Sequence, residues 1–502
     1  MPETDGLNSY IDGLIRRHET VGLAVGMVGP EGMRLFRGYG VADRRTGVAI
    51  TEDTGFRIAS VTKTFTAVAV MQLVERGSVE LDAPANDYLH QLRLVPARAD
   101  HRPASVRHLL THTAGLGELA HLSGLIRPDF GESVLAGEPL PTVADFYGGA
   151  IRLKSEPGTG FTYGNHSPTV LGQLVEDVTG EPLAGVFRES IFGPLGMADS
   201  DLERGQAVRA RLATGHEPKG DGWRVVEERD MVTAGAASVY STPSDMARYA
   251  AALLGGGANE HGRILAPETL AQMFAPQYRP DARIPGMGLG FFRTEVGGHR
   301  VAEHQGVHPG FYSHLAVAPD AGIGVIVFTN GARDPMFWLS TEADDLLGAA
   351  MEVPAEDGRG ALPLRPEAAA ELVGWYRLAG PWSDVRKRLF MGAGAEVFER
   401  GGAPRMRFLS PVPDLYRGFA LKPDDPDDPD VFRVDLDEAG TSRVVFRRTD
   451  DGCVASLVLG MMPIELQRQP RHTNPRLWID GLLATLVLVA ASLVLGRVLR
   501  RR

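Results

Sequence analysis

At 502 residues the chain is too long to fold around one ordinary core, so two or more folded units are expected. A hydrophobic fraction of 43% and a charged fraction of 23% exclude a disordered or fibrous polymer, and a net charge of -11 argues against a nucleic-acid binder, which needs a basic face. The single cysteine, Cys453, excludes an internal disulfide framework and a cysteine-based zinc site.

In chain order, Val21–Val28 and Arg34–Val41 read as a strand pair joined through the turn residues Gly29-Pro30-Glu31-Gly32. Thr62–Val74 carries apolar residues at helical spacing and ends at Gly77, and Thr169–Val178 is a second helical run. Ser313–Ala318, the turn Pro319-Asp320-Ala321-Gly322 and Ile323–Thr329 form a hairpin pattern. Strands at both ends with helices between predict an α/β (α+β) unit over residues 1–345, with an antiparallel sheet fed from both ends and a helical subdomain. A linker rich in Pro, Gly, Ala and Glu follows at 346–368, and then a small β-rich unit at 369–469 with strands at Val431–Leu436, Ser442–Arg448 and Val454–Leu459. The acidic run Asp424–Asp430 lacks the glycine and spacing of a helix–loop–helix calcium site and reads as a solvated hairpin loop.

From Leu477 to Gly496 the one charged residue is Asp480, and Arg497, Arg500, Arg501 and Arg502 follow. At about 1.5 Å per residue such a run reaches roughly 30 Å, the hydrocarbon thickness of a bilayer. A transmembrane helix at 477–499 is therefore expected, making a single-pass membrane protein with a C-terminal anchor. The arginine bias favours an external catalytic part, whereas the start Met-Pro-Glu-Thr-Asp shows no secretory signal and favours the reverse; the side stays open.

Lys63, Lys154, Lys219, Lys387 and Lys422 are the only lysines, so a lysine inside an apolar helix stands out. In Ser60-Val61-Thr62-Lys63 the i, i+3 spacing puts hydroxyl and amine on one helical face. A serine hydroxyl becomes a useful nucleophile when a neighbouring base takes its proton, and lysine does so when dry surroundings or a nearby cation lower its pKa. Tyr163-Gly164-Asn165, at a loop-to-helix junction, offers a second candidate base or proton relay and an amide to hold a substrate carbonyl or orient Lys63. His304-Gln305-Gly306-Val307 precedes the last hairpin; a strand glycine marks close approach of another backbone, and backbone N–H groups there could complete an oxyanion hole with that of Ser60. Histidines 299, 304, 308 and 314 share no helical zinc motif and no cysteine joins them, so neither a metal nor an organic cofactor is expected.

Ser60-x-x-Lys63, Tyr163-x-Asn165 and His304-Gln305-Gly306, in this order, resemble the serine β-lactamase and penicillin-binding protein superfamily. The branch with class C β-lactamases, D-alanyl-D-alanine carboxypeptidases and esterases is most similar. The strings Phe56–Ser60, Arg107–Leu116, Phe192–Met197, Tyr240–Asp245 and Val327–Gly331 also resemble that branch, over about residues 10–340. The resemblance implies Ser60 as acylated nucleophile, Lys63 and Tyr163 sharing acid–base work, Asn165 and His304 on the substrate, and the N–H groups of Ser60 and Val307, beside Gly306, as oxyanion hole. His112, within one of those strings, is read as structural. His304 stands where the antibiotic-hydrolysing members resemble one another in having lysine; a fractionally charged imidazole would hold a substrate carboxylate less firmly. The unit at 369–469, with Trp375 and Tyr376 read as core, resembles small β-barrels appended to such hydrolases. The expected function is a serine hydrolase passing through acyl-Ser60 on a small-molecule or peptide substrate: a D-amino-acid peptide, an ester or a β-lactam. The alternative is a membrane-anchored, non-catalytic sensor or scaffold that keeps the cleft, and the oligomeric state stays open.

Overall fold

The computed structural model describes residues 4–353, 362, 366–380, 384–410, 412–437 and 440–477. The backbone divides into two compact units that part near residue 360.

The first unit is built on an antiparallel sheet. Strand β1 (Gly22–Gly29) pairs with β2 (Gly32–Asp43), which carries a short edge strand β3 (Val48–Ala49). On its other side β1 pairs with the last strand of a meander, β4 (Phe292–Val296), β5 (His299–His308), β6 (Phe311–Ala318) and β7 (Ile323–Thr329). The order is β4-β5-β6-β7-β1-β2-β3, so the two ends of the unit meet at β1 and β7, with Val25 opposite Val327. The expected pairing of the first strands and the expected final hairpin are both present. Helix α1 (Thr4–Arg17) precedes the sheet, and α2 (Thr62–Glu75), α3 (His166–Thr179), α4 (Pro243–Leu254) and α5 (Pro335–Ala350) complete the frame.

Alternation along each strand sends side chains to opposite faces. Leu23, Val25 and Met27 of β1, Ala316 and Ala318 of β6, and Val325 and Val327 of β7 pack with Ile11 and Leu14 of α1 and with Trp338, Leu339 and Leu346 of α5. Ala24 and Val28, Leu315 and Val317, and Ile326 and Phe328 point the other way, into the core that surrounds α2. Every residue of α2 from Thr62 to Leu73 is buried, so this helix runs through the middle of the unit. Its polar side chains survive there by bonding backbone: Thr66 donates to Gly235 O and Gln72 to Ser190 O and Ile264 O. Helix α3 starts earlier than its apolar pattern because Pro168 is tolerated in a first turn, and it stops at Gly180, in the left-handed region at φ 74. Helix α5 runs to Ala350, inside the segment expected to be linker.

In the second unit, eight strands among the described residues close into a barrel: Gly374–Leu378, Gly394–Arg400, Ala403–Phe408, Phe419–Pro423, Val431–Asp435, Thr441–Arg448, Val454–Leu459 and Ile464–Gln469. Trp375 and Tyr376, on the first of these strands, are both buried. The acidic run joins two barrel strands, and its ends are neutralised by arginines: Asp424 meets Arg443 at 3.0 Å and Asp430 meets Arg448 at 2.8 Å.

The membrane expectation is corrected. Among the described residues no helix is long and apolar enough to cross a bilayer, so a single-pass membrane protein is not supported. The expected span at 477–499 falls, beyond Leu477, outside the described residues. An apolar run fixes what a segment costs to leave in water, not that it forms a spanning helix.

One side chain latches the sheet's closing end. Asn330, fully buried just after β7, donates through Nδ2 to Val41 O (3.2 Å), Ala42 O (2.9 Å) and Thr214 O (2.9 Å). Asn330→Asp keeps the shape but turns a carboxylate toward carbonyls, so it should destabilise at least as much as Asn330→Ala. The loss expected is roughly 2–4 kcal/mol in urea unfolding of the full chain; wild-type stability in the aspartate variant would remove the latch from this account.

Candidate active site

The position of Ser60 is set by a turn that a side chain rarely tolerates. Ala59–Val61 is a short 3₁₀ turn leading directly into α2, and Ala59 sits at φ 45, in the left-handed region. Neighbours hold it there: Ile58 N donates to Val239 O (3.1 Å), and Ile58 O accepts from Val61 N (3.1 Å) and from Ser313 Oγ (2.7 Å) on β6. Strand β5 presses against the same carbonyl, because a Cβ at Gly306 would lie 2.2 Å from Ile58 O and 2.2 Å from Ser313 Oγ. Only glycine allows the strand that close.

Ser60 is half-buried, while Lys63, one helical turn on, is 2% exposed. The Lys63 Nζ donates to Ser60 Oγ at 2.7 Å, to Asn165 Oδ1 at 2.9 Å and to Ala236 O at 3.1 Å. An ammonium has three protons and three acceptors surround it. Asn165 precedes α3, and its amide is oriented by what flanks it: Oδ1 meets the amine, and Nδ2 donates to Glu132 Oε2 at 2.6 Å. Glu132 is itself buried, and Thr233 Oγ1 donates to the same oxygen at 3.5 Å.

Tyr163 closes the group from the other side. Lys63 Nζ lies 5.1 Å from its ring centroid, within cation–π range, and the ring packs on His112 (4.8 Å), Phe292 (5.5 Å) and His304 (6.0 Å). His304 is buried with Nδ1 on Gln305 O at 2.8 Å and no hydrogen-bond partner at Nε2. Burial first, then the Lys63 cation, pushes its pKa down to about 3. Burial, Lys63 and His304, in that order, hold His112 well below the ordinary histidine range. Both rings are therefore neutral near pH 7, where the sequence led us to expect a fractional charge at His304.

Ser60, Lys63, Tyr163, Asn165, His304 and Gly306 thus converge on one place. Val307 is the next residue of β5; its side chain is exposed, and its backbone runs beside the strand segment against Ile58. Gln305 points away, donating to Met336 O at 3.3 Å. Sequence reasoning missed Glu132, the Ala236 carbonyl and Phe292. Glu132 carries no motif, and its sole signal is the left-handed run Asp129, Phe130 and Gly131 before it. His112 was read as structural, yet its ring packs directly on Tyr163.

The family model described as Beta-lactamase matches residues 7–350. Esterase EstB of Burkholderia gladioli is 32% identical over 373 residues, covering 66% of this chain and 91% of the esterase. Penicillin-binding protein 4 of Amycolatopsis lactamdurans is 29% identical over 353 residues, covering 68% of this chain and 89% of that protein. The solved octameric penicillin-binding protein homologue from Pyrococcus abyssi shares the fold, at 22% identity and a TM-score of 0.57, covering 92% of this chain and 99% of its own. With its matched region spanning most of the first unit, and with a buried lysine on a half-buried serine inside that unit, the chain belongs to the β-lactamase family.

Proposed function

We propose that the chain is a serine hydrolase that transfers the acyl group of an ester or amide to water through an acyl-Ser60 intermediate. The carrying observation is the 2.7 Å contact between Lys63 Nζ and Ser60 Oγ in a site where the amine is otherwise fully engaged. A neutral amine keeps two N–H donors for Asn165 Oδ1 and Ala236 O and turns its lone pair to the serine hydroxyl. The proton passes from Oγ to Nζ as Oγ bonds the acyl carbon. The N–H groups of Ser60 and Val307 take the developing oxyanion. The proton then leaves with the alcohol or amine through Lys63 and Tyr163, and water releases the acyl group by the reverse steps. Residues 1–345 are the hydrolase module in this reading, and the barrel, with its flanking segments, is an appended unit.

Two relatives named as an esterase and a penicillin-binding protein bracket the substrate class. A neutral His304 gives no full charge to a substrate carboxylate at the strand. That favours esters and amides without a carboxylate at that position, internal or blocked D-amino-acid peptide bonds among them, over β-lactams with their free carboxylate. Nothing in the site favours the non-catalytic scaffold.

Intact-mass analysis after fluorophosphonate treatment tests the nucleophile. Wild type should gain one adduct and Ser60→Ala none, with Lys63→Ala slowed at least 10²-fold; equal labelling of wild type and Ser60→Ala ends the proposal. Glu132 positions Asn165 without touching substrate. Glu132→Ala should lower kcat roughly 10–100-fold with less change in KM, and Glu132→Gln, which retains an acceptor oxygen, should recover part of it. An unchanged kcat in Glu132→Ala would free Asn165 from that support.

His304 also predicts an acid weakness. The unfolded chain takes up a proton there below about pH 6.5 while the folded chain refuses it down to about 3. Its contribution to stability is complete above pH 6.5 and falls as pH drops through that window, by roughly 1.4 kcal/mol per pH unit. Between pH 7 and pH 5, His304→Gln should lose roughly 2 kcal/mol less than wild type in urea unfolding. Equal losses would mean the ring titrates normally.

A further inference from the structure

The sheet carries a second polar cluster on the face opposite Ser60. Along β5, Ala302 faces the α2 core and His304 and Gly306 face the nucleophile turn, whereas Val301 and Glu303 face α1 and α5. His314 of β6 shares that second face with Ala316 and is 1% exposed. Its Nε2 lies 3.2 Å from Glu303 Oε2, and α5 supplies Asp344. One donor atom from each of Glu303, His314 and Asp344 falls within 4.8 Å of the other two. Glu303 Oε2, Asp344 Oδ1 and both ring nitrogens of His314 are buried without a hydrogen-bond partner.

Three such donors, one from each residue and all within 4.8 Å of one another, call for a ligand. Each buried polar atom left unmatched destabilises the fold, and two carboxylates side by side away from water repel each other. A protonated His314 would still leave net negative charge beside its own unmatched nitrogen. A divalent cation cancels both carboxylates and leaves the imidazole neutral, the form in which histidine binds metal. One nitrogen and two carboxylate oxygens suit first-row ions such as Zn²⁺, Co²⁺ or Mn²⁺, which take these donors at about 2.0–2.2 Å. Donors that close to a shared ion lie at most about 4.4 Å from one another, and the three atoms here lie within 4.8 Å of one another, so small side-chain adjustments bring them onto one ion.

We propose that Glu303, His314 and Asp344 form a structural site for one divalent first-row transition-metal ion, pinning α5 to β5 and β6. The sequence reading dismissed metal because no two histidines share a helical zinc motif; this ligand set is instead split over two strands and a helix. The ion lies across the sheet from Ser60, so it takes no part in acyl transfer.

The test uses the full chain, stripped by chelator, reloaded with Zn²⁺, desalted and analysed for metal by mass spectrometry. Wild type and the exposed control His90→Gln should retain one zinc per chain, and Asp344→Asn and His314→Gln at least tenfold less. Co²⁺ loading should give visible absorption in wild type that both variants lose. Glu303→Gln, at the more exposed edge of the site, replaces any variant that fails to fold by circular dichroism. No retained zinc in wild type, or equal zinc in a folded ligand variant, overturns the proposal. Fluorophosphonate labelling of Ser60 is read on the same samples, so failure of the metal site and failure of the hydrolase reading are told apart.

Discussion

Burying the Lys63 amine is the constraint around which the first unit is arranged. A lone charge removed from water costs several kcal/mol unless its hydrogen bonds are remade, and here they are remade by three segments far apart in sequence. Ser60 lies one helical turn back, Asn165 comes from the start of α3, and Ala236 comes from a short helical turn near residue 236. Because Asn165 must give its oxygen to the amine, its nitrogen needs an acceptor, which draws Glu132 into the interior. Each buried polar group creates the need for the next, and the chain stops at Glu132, whose carboxylate also receives Thr233. The geometry at the serine is therefore held by a network rather than by the turn at Ala59 alone.

The sheet solves a second problem, that of bringing a strand to the Ser60 turn without burying unpaired backbone. Gly306 lets β5 approach the carbonyl of Ile58, and Ser313, directly opposite Gly306 in register, donates a hydrogen bond to that carbonyl. The period of two that turns His304 and Gly306 toward Ser60 necessarily turns Glu303 the other way. One strand thus serves two polar clusters that share no side chain. A one-residue slip of β5 would exchange them and bury a carboxylate against the nucleophile, so the register of β5 on β6 is fixed by chemistry on both faces.

Much of this was legible in the sequence, because its strongest signals are local. The i, i+3 spacing of Ser60 and Lys63 needs only a helix, and the pairing of β1 with β2 and of β6 with β7 needs only alternation and turn residues. Tyr163 and Asn165 were visible as polar residues before a helical run. Groups whose role depends on contacts across long separations were not. Glu132 reaches Asn165 across a subdomain loop, and Asp344 meets Glu303 only because α5 folds back on the sheet. The expected C-terminal span rests on apolar length alone, which measures transfer cost and not architecture.

The charge balance around the amine gives the site its character. His112 and His304 both pack against Tyr163, and Lys63 sits over the same ring, so protonating either imidazole would place a second cation beside the first in a dry space. Burial and Lys63 together keep the rings neutral. They contribute shape and dipoles, while positive charge is confined to the Lys63 amine, which donates to Ser60 Oγ. A lysine at position 304 would bring a substrate carboxylate closer but would also change the field in which Lys63 works. With histidine there, neutral rings pack on Tyr163 and the Lys63 amine is left as the one cation over that ring.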